Sequence, residues 1–173
     1  MSGTEHPLAE GQAGATALAF HRHDHARCSA AALAEAEARA VAGGLRLTPV
    51  RRRALEVLLE AHRALGAYEV LDRLAADGFG KQPPVAYRAL DWLVENGLAH
   101  RVQRLNAYVA CLHPGQAHAP AFLICRGCKA VAEAPGERVR ALLEAGAAAA
   151  GFRVERASME AVGLCPACQA AAG

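Results

Sequence analysis

The stretch "PPVAYRALDWLVENGLAHRVQRLNAYVAC", residues 83–111, decides the fold. It opens on Pro83-Pro84, residues suited to the first turn of a helix, and its helical pattern stops at Asn96-Gly97. At about 100° per residue, Ala86, Leu90, Leu93, Val94 and Gly97 fall on one side. Arg88, Asp91 and Glu95 fall on the other, with Tyr87 at the boundary. The next segments, "LAHRVQ" and "NAYVAC", read as a β-hairpin turning near Arg104 to Asn106. An amphipathic helix running straight into a hairpin predicts a reading helix with a wing behind it.

Upstream, "AYEVLDRLAADGFG" predicts a short helix closed by glycines. "LTPVRRRALEVLLEAHRALG" predicts another, with Thr48 as N-cap, Pro49 at the first position, apolar Val50, Leu55, Leu58 and Leu59, and an end at Gly66. Ser29 is the expected cap of a first helix reaching about Arg39 to Val41, where Gly43-Gly44 stops it. Residues 1–27 are rich in Gly, Ala and His without helical periodicity and read as a mobile arm. Residues 28–110 therefore form a winged-helix pattern, a variant of helix-turn-helix. In such readers the first turns of the second helix reach base edges in the major groove. Arg88 can bond a guanine edge bidentately, and Tyr87 can touch a thymine methyl or a phosphate.

Downstream the texture changes. Residues 111–119 read as a hinge and 120–173 as a smaller α/β unit. Within it "AFLICRGCKAVAEA" gives strand, knuckle, strand; "PGERVRALLEAGAAAAG" gives a helix; "FRVERASMEAVGLC" gives a strand. The fold class expected is α+β, an N-terminal winged-helix DNA-binding domain followed by a small α/β domain.

Composition narrows the function. Of 173 residues 53% are hydrophobic, many of them alanine, and the net charge is only +2. That charge is uneven: residues 1–44 carry three basic and five acidic side chains, whereas residues 45–104 carry ten and seven. Four arginines crowd "RLTPVRRR" at 46–53, a pattern suited to phosphate. No apolar run is long enough to span a membrane, and the N-terminus lacks the pattern of a secretory signal. These features predict a cytoplasmic protein whose CxxC cysteines hold metal rather than disulfides.

Two pairs, Cys125/Cys128 and Cys165/Cys168, present four thiolates, a set that suits tetrahedral Zn(II) and leaves no open position for catalysis. A structural zinc is expected there, and no enzymatic role. A second set straddles the hinge: His100 on the first wing strand, Cys111 at the end of the second, His118 after the linker, and Glu133 on the strand leaving the first knuckle. His113 is the rival to His118, which is favoured. Ligands drawn from two units stabilise only the arrangement that brings them together, the requirement for a ligand-driven switch. The tract "HRHDHARC" adds His21, His23, His25 and Cys28, which read either as a third, weaker zinc site or as a segment without a fixed role.

With "GLRLTPVRRRALEVL", "PPVAYRALDWLVENGLAH", "NAYVAC", "ICRGCKAVAE" and "GLCPAC" in one order, the chain resembles the ferric uptake regulator family, and within it the zinc uptake regulator branch, over roughly residues 29–168. The resemblance implies a homodimer held by the C-terminal α/β domain and a repressor that binds palindromic operator DNA when zinc fills the hinge site, controlling zinc uptake genes. By position it assigns Cys125, Cys128, Cys165 and Cys168 to the structural zinc and His100, Cys111, His118 and Glu133 to the regulatory zinc, two per subunit. Tyr87 and Arg88 match its base-reading pair, and Arg46 and Arg51 match positions near the DNA backbone. The chain departs from the family at Pro84-Val85-Ala86-Tyr87-Arg88, which lacks the usual threonine. The alternatives are an iron, manganese or peroxide sensor of the same fold and, more distantly, a zinc-dependent enzyme. The soft thiolate of Cys111 favours zinc over the metals of the former.

Overall fold

The computed structural model describes residue 20 and residues 24–60, 62–114 and 118–171. The first unit contains α1 (His25–Ala42), α2 (Pro49–Leu59), β1 (Leu65–Gly66), α3 (Ala67–Ala76), α4 (Pro83–Glu95), β2 (Ala99–Val102) and β3 (Ala107–Ala110). The second contains β4 (Pro120–Cys125), β5 (Val131–Pro135), α5 (Glu137–Ala149), β6 (Met159–Gly163) and α6 (Pro166–Ala170). No helix of the described residues is long and apolar enough to cross a membrane.

The helical core follows from the sequence pattern. Leu55, Leu58 and Leu59 of α2, Val70, Leu71 and Leu74 of α3, and Ala86, Leu90 and Leu93 of α4 are all buried in one cluster. On α1 the buried positions are Ala32, Ala36 and Ala40, one helical row whose small side chains let α1 lie close. Ion pairs tie the outer surfaces. Arg52 meets Glu37 at 2.6 Å and also Glu56, while Arg53 meets Asp77 at 2.6 Å and Glu60 at 3.2 Å. Arg52 and Arg53 of "RLTPVRRR" are thus held in ion pairs with residues of neighbouring segments.

Three boundaries differ from the sequence expectation. The first helix begins at His25, so residues 25–27 belong to it and not to the arm. Asp24 caps it by accepting from the Arg27 amide at 3.1 Å, while the Ser29 hydroxyl bonds back to the carbonyls of His25 (3.0 Å) and Ala26 (3.1 Å), as serine does inside helices. The second helix stops at Leu59 rather than Gly66. Leu65 and Gly66 instead pair with Tyr108 and Ala107, so the wing is a three-stranded sheet in the order β1-β3-β2. The last strand is confined to Met159–Gly163; residues 152–158 lie outside it. Thr48 and Pro49 stand where expected, although the threonine side chain makes no capping bond, and no side chain caps α4 either.

The wing turns through a single 3₁₀ segment, Gln103–Leu105, and returns through Asn106, whose φ of 46° is tolerated by asparagine better than by most side chains. Its amide oxygen accepts from Arg101 at 2.7 Å. In the second sheet, ordered β5-β4-β6, β5 runs antiparallel and β6 parallel to β4. The wing and this sheet share a small core of Val102, Phe122, Ile124 and Val131. A bond from the Val131 amide to the His62 carbonyl (3.0 Å) adds a further link.

Gly136, between β5 and α5, packs without room for a side chain. A Cβ there would stand 2.4 Å from the Ala119 carbonyl oxygen and 2.6 Å from Met159 Cε. Gly136→Ala is expected to lose about 1–3 kcal/mol of stability, read as a lowered denaturation midpoint, with unchanged stability sinking the close-packing account.

Candidate metal centres

The four cysteines of the second unit come together through the β4–β6 pairing, which sets Cys125 opposite Gly163, two residues before Cys165. β4 delivers Cys125, the turn after it delivers Cys128, and Cys165 caps α6, which carries Cys168 one turn on. The four sulfurs lie within 4.8 Å of one another. Cys128 and Cys165 are 3.7 Å apart, and the Cys165 amide donates to the Cys125 sulfur at 3.3 Å. Amides of Cys128 and Cys165 draw the Cys125 thiol down to about 6, whereas the neighbouring sulfurs of Cys165 and Cys125 push Cys168 up to about 12. Lys129 turns the chain with φ 65°, which closes the knuckle. Gly127 leaves space for the last sulfur, since a Cβ there would stand 2.9 Å from Cys168 Sγ. Four sulfurs in one small volume fit a closed tetrahedral cation site.

The second cluster gathers one ligand from each of four places. His100 is on β2, Cys111 just beyond β3, His118 in the approach to β4 and Glu133 on β5; their ligand atoms also lie within 4.8 Å of one another. Glu133 Oε1 is 2.8 Å from His118 Nε2, and its Oε2 is 3.9 Å from His100 Nε2. Cys111 Sγ stands 3.6 Å from His118 Nε2. Pairing of Cys111 N with Leu98 O (3.0 Å) extends the β2–β3 ladder and fixes the thiol.

The donor chemistry passes a test of fit. His100 Nε2 is buried and has no hydrogen-bond partner among the described residues, a costly state for a polar atom that coordination would relieve. Burial holds the His100 imidazole below its ordinary range, so it is neutral and ready to ligate. Burial first, and the Glu133 carboxylate second, push the Cys111 thiol up to about 12. A cleft of about 610 Å³, bordered by His100, His118 and Phe122, gives access from solvent.

Of the other candidates, His21 and His23 lie outside the described residues. His25 and Cys28 sit on α1 and border a small cavity together with His62; the His25 and His62 rings are 4.6 Å apart, and His25 Nε2 is 2.9 Å from the Glu60 carbonyl oxygen. His113 stands with its ring 6.4 Å from that of His118, outside the four-ligand cluster. On α4, Tyr87 and Arg88 are both exposed near the helix start. Arg46 is exposed, whereas Arg51 lies 4.2 Å over the Trp92 ring and donates to the Arg46 carbonyl at 2.7 Å. Sequence reading missed this stack. Its signal was a tryptophan on the α4 flank and an arginine in the first turn of α2, two helices expected to pack.

No family model matches the chain. It is 40% identical over 125 residues to the zinc uptake regulation protein of Escherichia coli (strain K12), covering 72% of this chain and 73% of the relative, and equally to that of Shigella flexneri. A solved zinc uptake regulator in complex with zinc and DNA matches with a TM-score of 0.77 and 37% identity, over 83% of this chain and 97% of that one. The crystal structure of holo XcZur matches at 0.73 and 39%, over 80% and 96%.

The raised Cys111 pKa has a signed consequence. Burial pushes the thiol up to about 12, and a ligating sulfur carries no proton, so a cation bound through Cys111 would expel one. Apparent zinc affinity is expected to rise about tenfold per pH unit between about pH 7 and 8, measured by chelator competition; a flat profile would remove Cys111 from the ligands.

Proposed function

Because the chain belongs to the ferric uptake regulator family, in its zinc uptake regulator branch, we propose that it is a zinc-responsive repressor that binds palindromic operator DNA as a homodimer and controls zinc uptake genes. The observation that carries this reading is the convergence of His100 and Cys111, from the wing, with His118 and Glu133, from the hinge and second sheet. A bound zinc ion supplies Lewis-acid coordination to all four ligands at once. The chain's own contribution is to distribute those ligands over two units, so that full coordination favours one arrangement of wing and sheet.

We assign one structural zinc per subunit to Cys125, Cys128, Cys165 and Cys168, and one regulatory zinc to His100, Cys111, His118 and Glu133. The donor set of one sulfur, two imidazoles and one carboxylate suits zinc, and four protein ligands leave no position for catalysis. The protein is accordingly a regulator rather than an enzyme, and its CxxC thiols suit the reducing cytoplasm. The domain division follows the same line: residues up to 110 read DNA, 111–119 form the hinge, and 120–173 bind zinc and dimerise.

On the DNA side, Tyr87 and Arg88 stand exposed at the start of α4, where a major-groove reader needs them. Arg46 faces solvent for a phosphate contact. Arg51, stacked on Trp92, holds the Arg46 carbonyl and so links the phosphate side to the reading helix. A second copy accounts for the surface of the other unit. Val139, Leu142 and Leu143 share one face of α5, and these, Phe152 and Val162 of the edge strand β6 are large apolar side chains left exposed. In a two-fold dimer the same patch serves both subunits.

Two measurements test the reading. Cys111→Ser is expected to hold one zinc per subunit against two for the unaltered protein, to stay dimeric, and to lose zinc-dependent binding to duplexes selected from a random pool. Retention of both zincs and of DNA binding would refute the regulatory assignment. Arg88→Ala is expected to lose about 1–3 kcal/mol of preference for selected over random duplexes, with zinc content unchanged. An undiminished preference would move base reading elsewhere.

A further inference from the structure

Beyond the shared apolar core and the hinge cluster, a carboxylate of the second sheet reaches the tip of the wing. Glu160 of β6 accepts the Gln103 amide on Oε1 at 2.6 Å and the Arg104 amide on Oε2 at 2.9 Å. The Ser158 hydroxyl donates to Oε1 at 3.1 Å and fixes the rotamer. Gln103 and Arg104 open the 3₁₀ segment at the wing tip, where amides lack partners within the helix. Both are therefore satisfied by a side chain more than fifty residues away in the chain.

The sheet register gives this contact its meaning. Phe122 pairs with Glu133 on one side and Glu160 on the other, so the three side chains form one row across β5-β4-β6. Glu133 is a ligand of the hinge cluster, Phe122 is buried beside Val102 of the wing, and Glu160 grips the wing tip. On the wing, His100 lies three residues before Gln103. A rigid-body displacement of the wing that carries His100 away from Glu133 also pulls Gln103 and Arg104 from Glu160. The carboxylate bonds and the coordination site thus belong to the same arrangement, and stabilising that arrangement by one strengthens the other.

We infer that Glu160 is a positioning residue, a metal-independent latch that holds the wing on the sheet and thereby raises the zinc affinity of a site it does not touch. This rests on reading the His100–Cys111–His118–Glu133 cluster as the regulatory site. The bonds are charge-assisted but partly exposed to solvent, which places the coupling at the lower end of the usual range.

The test uses the full chain with its four-cysteine site loaded, and Zn(II) alone as the probe. In Glu160→Ala the second zinc is expected to bind about five-fold more weakly while the first is unaffected, and the Gln103 and Arg104 amides are expected to exchange hydrogen faster at saturating zinc. Glu160→Gln, nearly isosteric and keeping one acceptor oxygen, is expected to fall between, and it decides the matter if the alanine variant fails to hold its first zinc. Unchanged second-site affinity, with or without faster exchange, overturns the latch while leaving the regulatory reading intact. If the unaltered protein takes up no second zinc, both fall together.

Discussion

The structure depends on how little holds the wing to the second sheet. The helical core buries twenty residues, whereas the core shared by wing and sheet buries four: Val102, Phe122, Ile124 and Val131. Apolar burial contributes roughly in proportion to area, so the first unit keeps its shape by itself while the junction is only weakly stabilised. A junction of that size can be biased by a few directed contacts. The directed contacts in reach are those of Glu133 and Glu160 on either side of Phe122, with the His100 ring 5.6 Å from that of Phe122. Apolar packing sets where the wing can rest, and polar groups set how firmly it does so.

The two clusters use similar donors to different ends because of where the ligands come from. All four sulfurs of the cysteine cluster belong to β4, the turn after it, and α6, so gathering them closes the second unit on itself. Coordination there would contribute folding energy. The hinge cluster draws two candidate ligands from each side of the weak junction, so coordination there would report on the junction. Both clusters hold a thiol pushed up to about 12, Cys111 by burial and Cys168 by the sulfurs of Cys165 and Cys125, so in each a cation would compete with a proton.

Much of this was legible in the sequence, for identifiable reasons. The helices showed themselves through apolar spacing, and α4 stops where Asn96-Gly97 predicts. Both clusters were legible as candidate sets because thiols and imidazoles are uncommon side chains with a narrow range of uses. Edges read less well. Leu65 and Gly66 form β1 only because Tyr108 and Ala107 lie opposite, a long-range pairing with no local mark. Ser29 looked like a cap because its hydroxyl can accept an amide, yet here it serves carbonyls inside the helix and Asp24 caps instead. Arg51 passed for a surface cation until packing brought Trp92 beneath it.

Glu160 shows why such contacts escape sequence reading. Its partners are backbone amides, which every residue except proline carries, so nothing about Gln103 or Arg104 as residue types announces the bond. Only the register makes it necessary. With Phe122 buried against the wing, its neighbours in the row must face the wing too, one on β5 and one on β6. Both are glutamates. A carboxylate facing a protein surface requires a partner to offset lost hydration. Glu133 meets two histidines as well as the Leu112 amide, whereas Glu160 meets two amides of the wing tip, and the histidines are what suit the first carboxylate to a cation.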